Sequence, residues 1–481
     1  MEKLIGRKKE KRELLSWLNT DKSEFIAIYG RRRVGKTFLV RHLIKDNFSF
    51  VFSGSHGMNR KQQLLNFCLN MRTQFDHPDL PVADNWVSAF HELRQCIERS
   101  EKEKKIIFLD ELPWIDTPKS GFVAALENFW NSWAAWRDDI KLIVCGSATS
   151  WIINKIIRNR GGLHNRVTHT LLIKPFYLDE CEEYFKSYGF TFSRMQIAEC
   201  YMTMGGIPYY FSLMDRGESL AQNIDRLFFK KDAPLANEFE DLYRALYKNY
   251  ENHIIVIKAL ADKGIGLTRK EIVEKTKLIN NGELSKILEE LQLCGFIREY
   301  LPFSEESKQR KTMTKVSKHT LYQLIDFYSL FYLQFNHRRN AQDERFWSSM
   351  VNSPKLNVWR GLTFEMLCLY HIDKIKTSLG IADVSTRICA WRGEYNNHKA
   401  QIDLLIDRKD DTINVCEMKF THNEYVIDSK TAEELQKKIE IFCGATDTQK
   451  NILLTMITTK GIAPTEASGI VQRQVTLDEL F

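Results

Sequence analysis

The chain alternates between short continuous apolar runs and longer stretches in which apolar positions recur with helical spacing, a pattern that predicts buried parallel strands separated by helices. Phe25-Ile26-Ala27-Ile28-Tyr29 reads as a buried strand, and Phe38 to Ile44 has helical spacing. Lys105 to Leu109 and Leu142 to Cys145 are further strand-like runs. From residue 176 to about 250, acidic and aromatic positions recur with helical spacing, as in Glu180-Cys181-Glu182-Glu183-Tyr184-Phe185, and predict a helical lid. From Ile254 the order becomes helix, turn, helix, turn, helix and hairpin. Thr268-Arg269-Lys270-Glu271 forms a capping box, Glu283 to Leu293 the third helix, and Phe296 to Tyr300 a strand. Residues 321 to 335 are densely aromatic but interrupted by Gln323, Asp326 and Gln334, and predict a buried helix too short to span a bilayer. After Pro354, Ala400 to Ile406 and Ile413 to Phe420 read as two strands joined by a turn at Asp407 to Asp411.

Composition narrows the class. With 481 residues, 43% hydrophobic and 27% charged, the chain is expected to be a soluble protein of three or four domains. No apolar run approaches membrane-spanning length, and the opening Met1 to Glu10 is too charged for a signal peptide. Ten scattered cysteines without a Cys-x-x-Cys pair suggest neither a zinc site nor a disulfide framework, and fit a reducing cytoplasm. The net charge of +7 is compatible with DNA as a partner but is spread over many residues and decides nothing alone.

The chemistry begins between the first strand and helix. Gly30-Arg31-Arg32-Arg33-Val34-Gly35-Lys36-Thr37 is a phosphate-binding loop that runs into Phe38. Such a turn aims backbone N–H groups and a helix N-terminus at one spot, which suits the polyphosphate of ATP. Lys36 would reach the β- and γ-phosphates, and the Thr37 hydroxyl would ligate Mg²⁺. The Lys105 run ends in Asp110-Glu111, where Asp110 would hold Mg²⁺ through its water shell and Glu111 would polarise the attacking water. Adjacent carboxylates imply hydrolysis rather than nucleotide storage. The third run ends in Gly146-Ser147, where the hydroxyl either senses the γ-phosphate, orients the water or belongs to an ordinary turn.

Ile5-Gly6-Arg7, the Arg-rich loop, Leu109 to Trp114 and Cys145-Gly146-Ser147 together resemble the archaeal-type P-loop ATPase family, a branch of the AAA+/STAND proteins. Gly161 to Arg166 and Gly205-Gly206-Ile207-Pro208 extend the resemblance, which covers residues 1 to about 230. It implies Ile5, Gly6 and Arg7 near the adenine, Arg166 near the γ-phosphate in cis or from a neighbouring subunit, and Pro208 against the nucleotide. Action in trans would require a homo-oligomer. Arg158 and Arg160 compete with Arg166 for its role, and two of Arg31, Arg32 and Arg33 are expected simply to face solvent. Trp130, Trp133 and Trp136 are spaced like one helix face and read as core or interface.

The middle segment looks like a winged helix-turn-helix. Its third helix carries Glu283, Glu289 and Glu290 against Lys286, which argues against a seat in a DNA groove. Its wing is basic, with Lys308, Arg310, Lys311, Lys315 and Lys318. A spacer or protein-docking module is favoured over sequence-specific DNA reading.

In the C-terminal half, Glu417 and Lys419 project to one side of a strand, and a paired Asp403 strand would set a second carboxylate beside Glu417. Two carboxylates can hold Mg²⁺ or Mn²⁺, Glu365 can complete the shell, and Lys419 can orient a metal-activated water. This set resembles the PD-(D/E)xK nuclease fold over residues 355 to 481, with Ile402 in place of the name's proline. The expected architecture is therefore α/β and multidomain. It comprises an ATPase core with a parallel sheet (1–175), a helical lid (176–250), a winged helix-turn-helix (251–325), a helical linker (326–354) and a restriction-endonuclease-like α/β domain (355–481). The expected function is an ATPase whose nucleotide state controls a metal-dependent nuclease-like domain acting on DNA. The alternative is an ATP-dependent switch or DNA-binding regulator that does not cleave; a DNA-translocating motor lacks helicase-like motifs.

Overall fold

Long apolar runs become the centre of a sheet because both faces of a parallel sheet are covered. The structure, a computed structural model, describes residues 3–159, 161–247, 249–262, 264–303, 320–336, 343–351 and 353–481. It divides into two units, the first made of residues 1–175, 207–209 and 245–248, the second of 176–206, 210–244 and 249–481.

The first unit holds five parallel strands: β1 (Glu24–Tyr29), β2 (Phe48–Ser53), β3 (Lys105–Asp110), β4 (Ile140–Gly146) and β5 (His169–Leu172). Their order is β2-β3-β4-β1-β5. The runs that read as strands, β1, β3 and β4, are the three central ones, and β3 and β4 are buried along their whole length. The order reverses at β1, so β1, β3 and β4 end side by side at one edge of the sheet, where crevices open in folds of this kind. Helices Arg60–Gln74, Trp86–Glu98 and Phe122–Ser132 cover an aromatic core built on Phe67, Trp86, Phe90 and Phe122. The tryptophan spacing misleads at one position. The helix stops at Ser132, so Trp130 and Trp133 join this core while Trp136 lies beyond the helix end, 83% exposed.

In the second unit, helices Leu178–Ser187 and Arg194–Met204 follow residue 176 and pack on each other, and Arg194–Met204 packs on helix Pro354–Tyr370. The contacts are chemical as well as apolar. Arg360 pairs with Glu199 at 2.7 Å, Lys374 with Asp179 at 3.0 Å and Arg194 with Asp478 at 3.3 Å. The residues read as a lid therefore share one core with the C-terminal segment.

Helices Tyr250–Ala261, Arg269–Thr276 and Gly282–Leu293 come next, and the Thr268–Glu271 capping box is present. They accompany an antiparallel sheet of β6 (Leu267–Thr268), β7 (Ile297–Tyr300) and β8 (Leu321–Leu324) in the order β6-β8-β7. Glu283, Lys286 and Glu289 are exposed, whereas Glu290 turns to His253 at 2.9 Å. Lys308, Arg310, Lys311, Lys315, Lys318 and also Arg160 lie outside the described residues. The aromatic run 321–335 is not one helix. Its first four residues pair as β8, and Asp326 then caps a helix from Phe327 by accepting the Ser329 N–H at 2.9 Å.

The last sheet contains β9 (Thr386–Tyr395), β10 (His398–Arg408), β11 (Thr412–Lys419), β12 (Asn451–Thr458) and β13 (Arg473–Thr476) in the order β13-β12-β11-β10-β9. The first three form an antiparallel meander, and β12 and β13 add in parallel. Helix Ser429–Thr446 packs on β9 and β10 through Phe442 and Ile441, which join Trp391, Leu405 and Val415. Among the described residues no helix is long and apolar enough to cross a membrane. All ten cysteines are free, and nine are buried.

Candidate functional site

The phosphate-loop residues lie where β1 meets helix Lys36–Ile44. Gly30 has φ 142°, and a Cβ there would sit 2.2 Å from the Ile173 carbonyl oxygen, so only glycine fits. Gly35, at φ 89°, caps the helix. Lys36 is buried, and its ammonium donates to the Gly30 and Arg31 carbonyls at 2.9 and 2.8 Å. Among the described residues no carboxylate lies within ion-pair distance of it. A buried cation balanced only by carbonyl dipoles fits an anionic ligand.

The second half of the site is carboxylate. The Thr37 hydroxyl donates to Asp110 Oδ2 at 2.8 Å, which couples the helix start to the end of β3. A hydroxyl and a buried carboxylate presented together fit a hydrated divalent cation. Glu111 follows in the left-handed region, with φ 50° and ψ 48°. Holding a non-glycine residue there costs on the order of 1–3 kcal/mol. Its carboxylate accepts both the Ser147 hydroxyl (2.6 Å) and the Ser147 N–H (3.2 Å). Ser147 therefore touches the glutamate rather than closing an ordinary turn.

Around the loop, Ile5, Gly6 and Arg7 are buried. Arg7 Nη2 donates to the Val34 carbonyl at 3.0 Å and Nη1 pairs with Glu10 at 3.6 Å, tying the N-terminal segment to the loop. Of the loop arginines, Arg31 is buried and Arg32 and Arg33 half-buried, so the expectation that two of them simply face solvent does not hold. Arg33 stacks its guanidinium 4.2 Å over the Tyr209 ring. Tyr209 follows Pro208, the first residue of a short helix, and of the two only Pro208 stands out in the sequence. Val34 is buried and Phe38 half-buried, the latter ring lying 5.6 Å from His42. Arg166 is exposed, and its side chain makes no hydrogen bond or ion pair among the described residues. Arg158 bears instead on Tyr29, the residue before the loop. Burial raises the Tyr29 pKa and the Arg158 charge partly offsets that rise.

The C-terminal carboxylates also come together. Leu404 pairs with Cys416 and Asp407 with Ile413, and that register continued by one residue would bring Asp403 opposite Glu417. The pairing of β10 with β9 slips between Ile402 and Leu405, a bulge that falls on Asp403. Lys419 Nζ lies 2.8 Å from Glu417 Oε1 and Lys438 Nζ 2.6 Å from Oε2. Sequence reasoning misses Lys438, on helix Ser429–Thr446, because a lysine on an amphipathic helix carries no local signal.

The charges explain the titration. Burial raises the Glu365 pKa first, and the neighbouring charges of Asp403 and Glu417 add to it, pushing it up to about 8. Burial also works against the Glu417 carboxylate, but Lys438 and Lys419 outweigh it and hold its pKa below the ordinary value. Burial likewise works against the Lys419 charge, yet Glu417 outweighs that cost and its pKa rises. A carboxyl kept protonated by burial and, after it, by two neighbouring carboxylates fits a divalent cation, which would displace that proton. As the side chains stand, however, no three His, Cys, Asp or Glu residues among those described are grouped to hold a metal ion.

Comparison with known proteins agrees with the first site and is silent on the second. Residues 4–214 match the family model described as an ATPase domain predominantly from Archaea. An uncharacterized protein of Methanocaldococcus jannaschii is 22% identical over 307 residues, covering 64% of this chain and 64% of the relative, less than two thirds of its length. Among solved structures, the Walker-type ATPase of Pyrococcus abyssi superposes with a TM-score of 0.50 at 18% identity, covering 69% of this chain and 96% of that one. The Aeropyrum pernix ORC2 protein, at 13% identity over 73% of this chain and 96% of its own, reaches a TM-score of only 0.38, too low to establish a common fold.

Proposed function

We propose that this chain, whose residues 4–214 match an ATPase domain family predominantly from Archaea, hydrolyses ATP and uses its nucleotide state to govern a C-terminal nuclease-like site acting on DNA. In this reading the Gly30–Thr37 loop, with Phe38, holds the polyphosphate, and Thr37 and Asp110 hold Mg²⁺. Ile5, Gly6, Arg7 and Pro208 flank the base. Mg²⁺, when bound, neutralises the phosphates and stabilises charge that develops on the leaving group. Glu111 takes the proton of the attacking water, with Ser147 setting its orientation through the 2.6 Å contact. The arginine role falls to Arg166, with Arg158 and Arg160 as its competitors. The chemistry belongs in a reducing cytoplasm, in keeping with ten free cysteines.

The observation that supports the nuclease-like half is the Lys419–Glu417 pair at 2.8 Å, at the end of the β10–β11 ladder that Asp403 adjoins. Glu365, Asp403 and Glu417 would hold Mg²⁺ or Mn²⁺, and Lys419 would orient the nucleophilic water. The three helices, with β6 between the first two and β7 and β8 after the third, support a winged-helix reading of residues 251–325, a module that serves here as spacer or protein-docking surface. Residues 355–481 would then be the nuclease-like domain, with 326–354 as linker and 176–250 as lid.

A specific observation favours a second reading. Both Glu417 oxygens are engaged by lysines, which suits a scaffold whose charges are already closed, in a protein that works as a non-cleaving switch. The deciding experiment incubates the protein with plasmid and linear DNA in Mg²⁺ or Mn²⁺, with and without ATP. Nicking that disappears in Lys419→Ala and changes in Lys36→Ala supports the nuclease. ATP hydrolysis without cleavage under any condition rejects it in favour of the switch.

A further inference from the structure

A cleft of about 1080 Å³ lies in the second unit, lined by β7 and β8, by β9 and β10, and by helix Pro354–Tyr370. Glu365 and Asp403 open into it, so the role of the cleft rests on reading those two carboxylates as part of the nuclease-like site. The residue that sets the cleft apart is Arg298. Its guanidinium donates from Nε to Gln323 Oε1 at 2.6 Å and lies 4.6 Å over the Tyr300 ring. Among the described residues it has no carboxylate within ion-pair distance, and neither Nη group has an acceptor. Burial works against its charge and pulls its pKa down, with only Tyr300 opposing. A guanidinium kept half-buried, still charged, with an open fork of N–H donors matches a phosphate oxygen pair.

The other lining charges sharpen the match. Asp262 is paired with Lys275 at 2.8 Å, Glu394 with Lys399 at 3.8 Å, and Glu271 accepts the Thr268 N–H and hydroxyl. Arg298 and the exposed Arg392 line the cleft together with Glu365 and Asp403. A phosphodiester turns its anionic oxygens toward the two arginines. A cationic or neutral ligand would leave Arg298 uncompensated. The volume of about 1080 Å³ lies just above the range of roughly 300–1,000 Å³ for small-ligand sites, which suits a few linked nucleotides and not a duplex.

We propose that this cleft binds a single strand of nucleic acid, its backbone phosphate held by the Arg298 guanidinium, and leads it to the Glu365 and Asp403 carboxylates. The full chain is titrated into a short fluorescein-labelled oligothymidylate in Ca²⁺ and followed by fluorescence anisotropy. The strand should bind, Arg298→Gln should weaken it about tenfold or more, and Arg298→Lys should recover part of the loss. Arg392→Gln, an exposed change that leaves the core untouched, should weaken binding about threefold and reduce the salt slope by about one. Unlabelled duplex should compete less well than unlabelled strand, and inorganic phosphate only weakly. No strand binding, wild-type affinity in a folded Arg298→Gln, or equal competition by duplex would overturn the proposal. If Arg298→Gln melts at a lower temperature than the assay, unchanged affinity in Arg392→Gln overturns it instead. The two readings separate cleanly. Strand binding that depends on Arg298 without cleavage in Mg²⁺ or Mn²⁺ sinks the nuclease and keeps the cleft; cleavage with Arg298-independent binding does the reverse.

Discussion

Acid should loosen the second unit through one histidine. His371 is fully buried, with Nε2 accepting the Leu178 N–H at 3.1 Å and Nδ1 donating to the Leu367 carbonyl at 2.9 Å. The first bond fixes the tautomer, because a backbone N–H needs a bare ring nitrogen. Burial is the main cause that lowers its pKa from 6.5 to about 4. In the unfolded chain the ring titrates near its ordinary value, so between the two values the unfolded state binds a proton that the folded state refuses. Stability therefore falls as pH drops through 6.5 and levels off below about 4. The gap is worth about 3 kcal/mol in full and roughly 2 kcal/mol at pH 5. Urea unfolding at pH 7.5 and pH 5, on wild type and His371→Gln, isolates it. Glutamine can donate and accept but does not titrate, so the variant should begin about 1 kcal/mol less stable and lose about 2 kcal/mol less on acidification. Carboxylates elsewhere contribute to both proteins and cancel in the difference. Equal acid losses would refute the reasoning.

Three further outcomes are expected. Gly30→Ala should abolish binding of a fluorescent ATP analogue, since its Cβ would meet the Ile173 carbonyl at 2.2 Å; affinity within twofold of wild type would contradict the loop geometry. Ser147→Ala should lower the rate of ATP hydrolysis by roughly 10- to 100-fold with little change in KM, because it loosens the proton acceptor without touching the phosphate cradle; an unchanged kcat would assign Ser147 to structure alone. In metal-free buffer the second unit should lose stability as pH rises from 4.5 to about 8, where folded Glu365 keeps a proton that the unfolded chain releases. Glu365→Gln should flatten that slope and reduce stabilisation by Mn²⁺, and parallel melting curves for both proteins in EDTA would argue that the three carboxylates do not share a site.

The parts of the fold that can be read from the sequence are those where the physics is local. β1, β3 and β4 are legible because strands buried on both faces spell continuous apolar runs. β2 and β5 lie at the sheet's edges, where serine at Ser49 and Ser53 and the shortness of His169–Leu172 blur the pattern. The aromatic run from Leu321 hides a strand, since aromatic residues serve strands and buried helices equally, and only the Asp326 cap marks the boundary. Glu417, Lys419 and Asp403 are legible from the two-residue period and a hairpin register. Lys438, Tyr209 and Arg298 are not, because their contacts depend on packing between segments far apart in the chain. The same reason hides the packing of helices Leu178–Ser187 and Arg194–Met204 on the C-terminal segment.

That packing bears on how nucleotide could govern the second unit, which requires a continuous physical route. The backbone supplies a short one. Residues 207–209 belong to the first unit, while 206 and 210 on either side belong to the second. At one end of this triplet, Arg33 of the phosphate loop rests on Tyr209. At the other, Gly206 accepts the Phe176 N–H at 2.7 Å, and a Cβ on Gly206 would sit 2.1 Å from the Phe176 carbonyl oxygen, so that joint has no slack. Phe176 lies two residues before the helix whose first N–H, on Leu178, is held by His371. His371 in turn bonds to helix Pro354–Tyr370, which carries Glu365. The first link is a cation–π contact on an exposed ring; the others are peptide bonds, a close steric fit or buried hydrogen bonds, which cannot lengthen cheaply. If nucleotide state governs the second unit as proposed, a displacement of Arg33 has this route along the chain to the helix that carries Glu365.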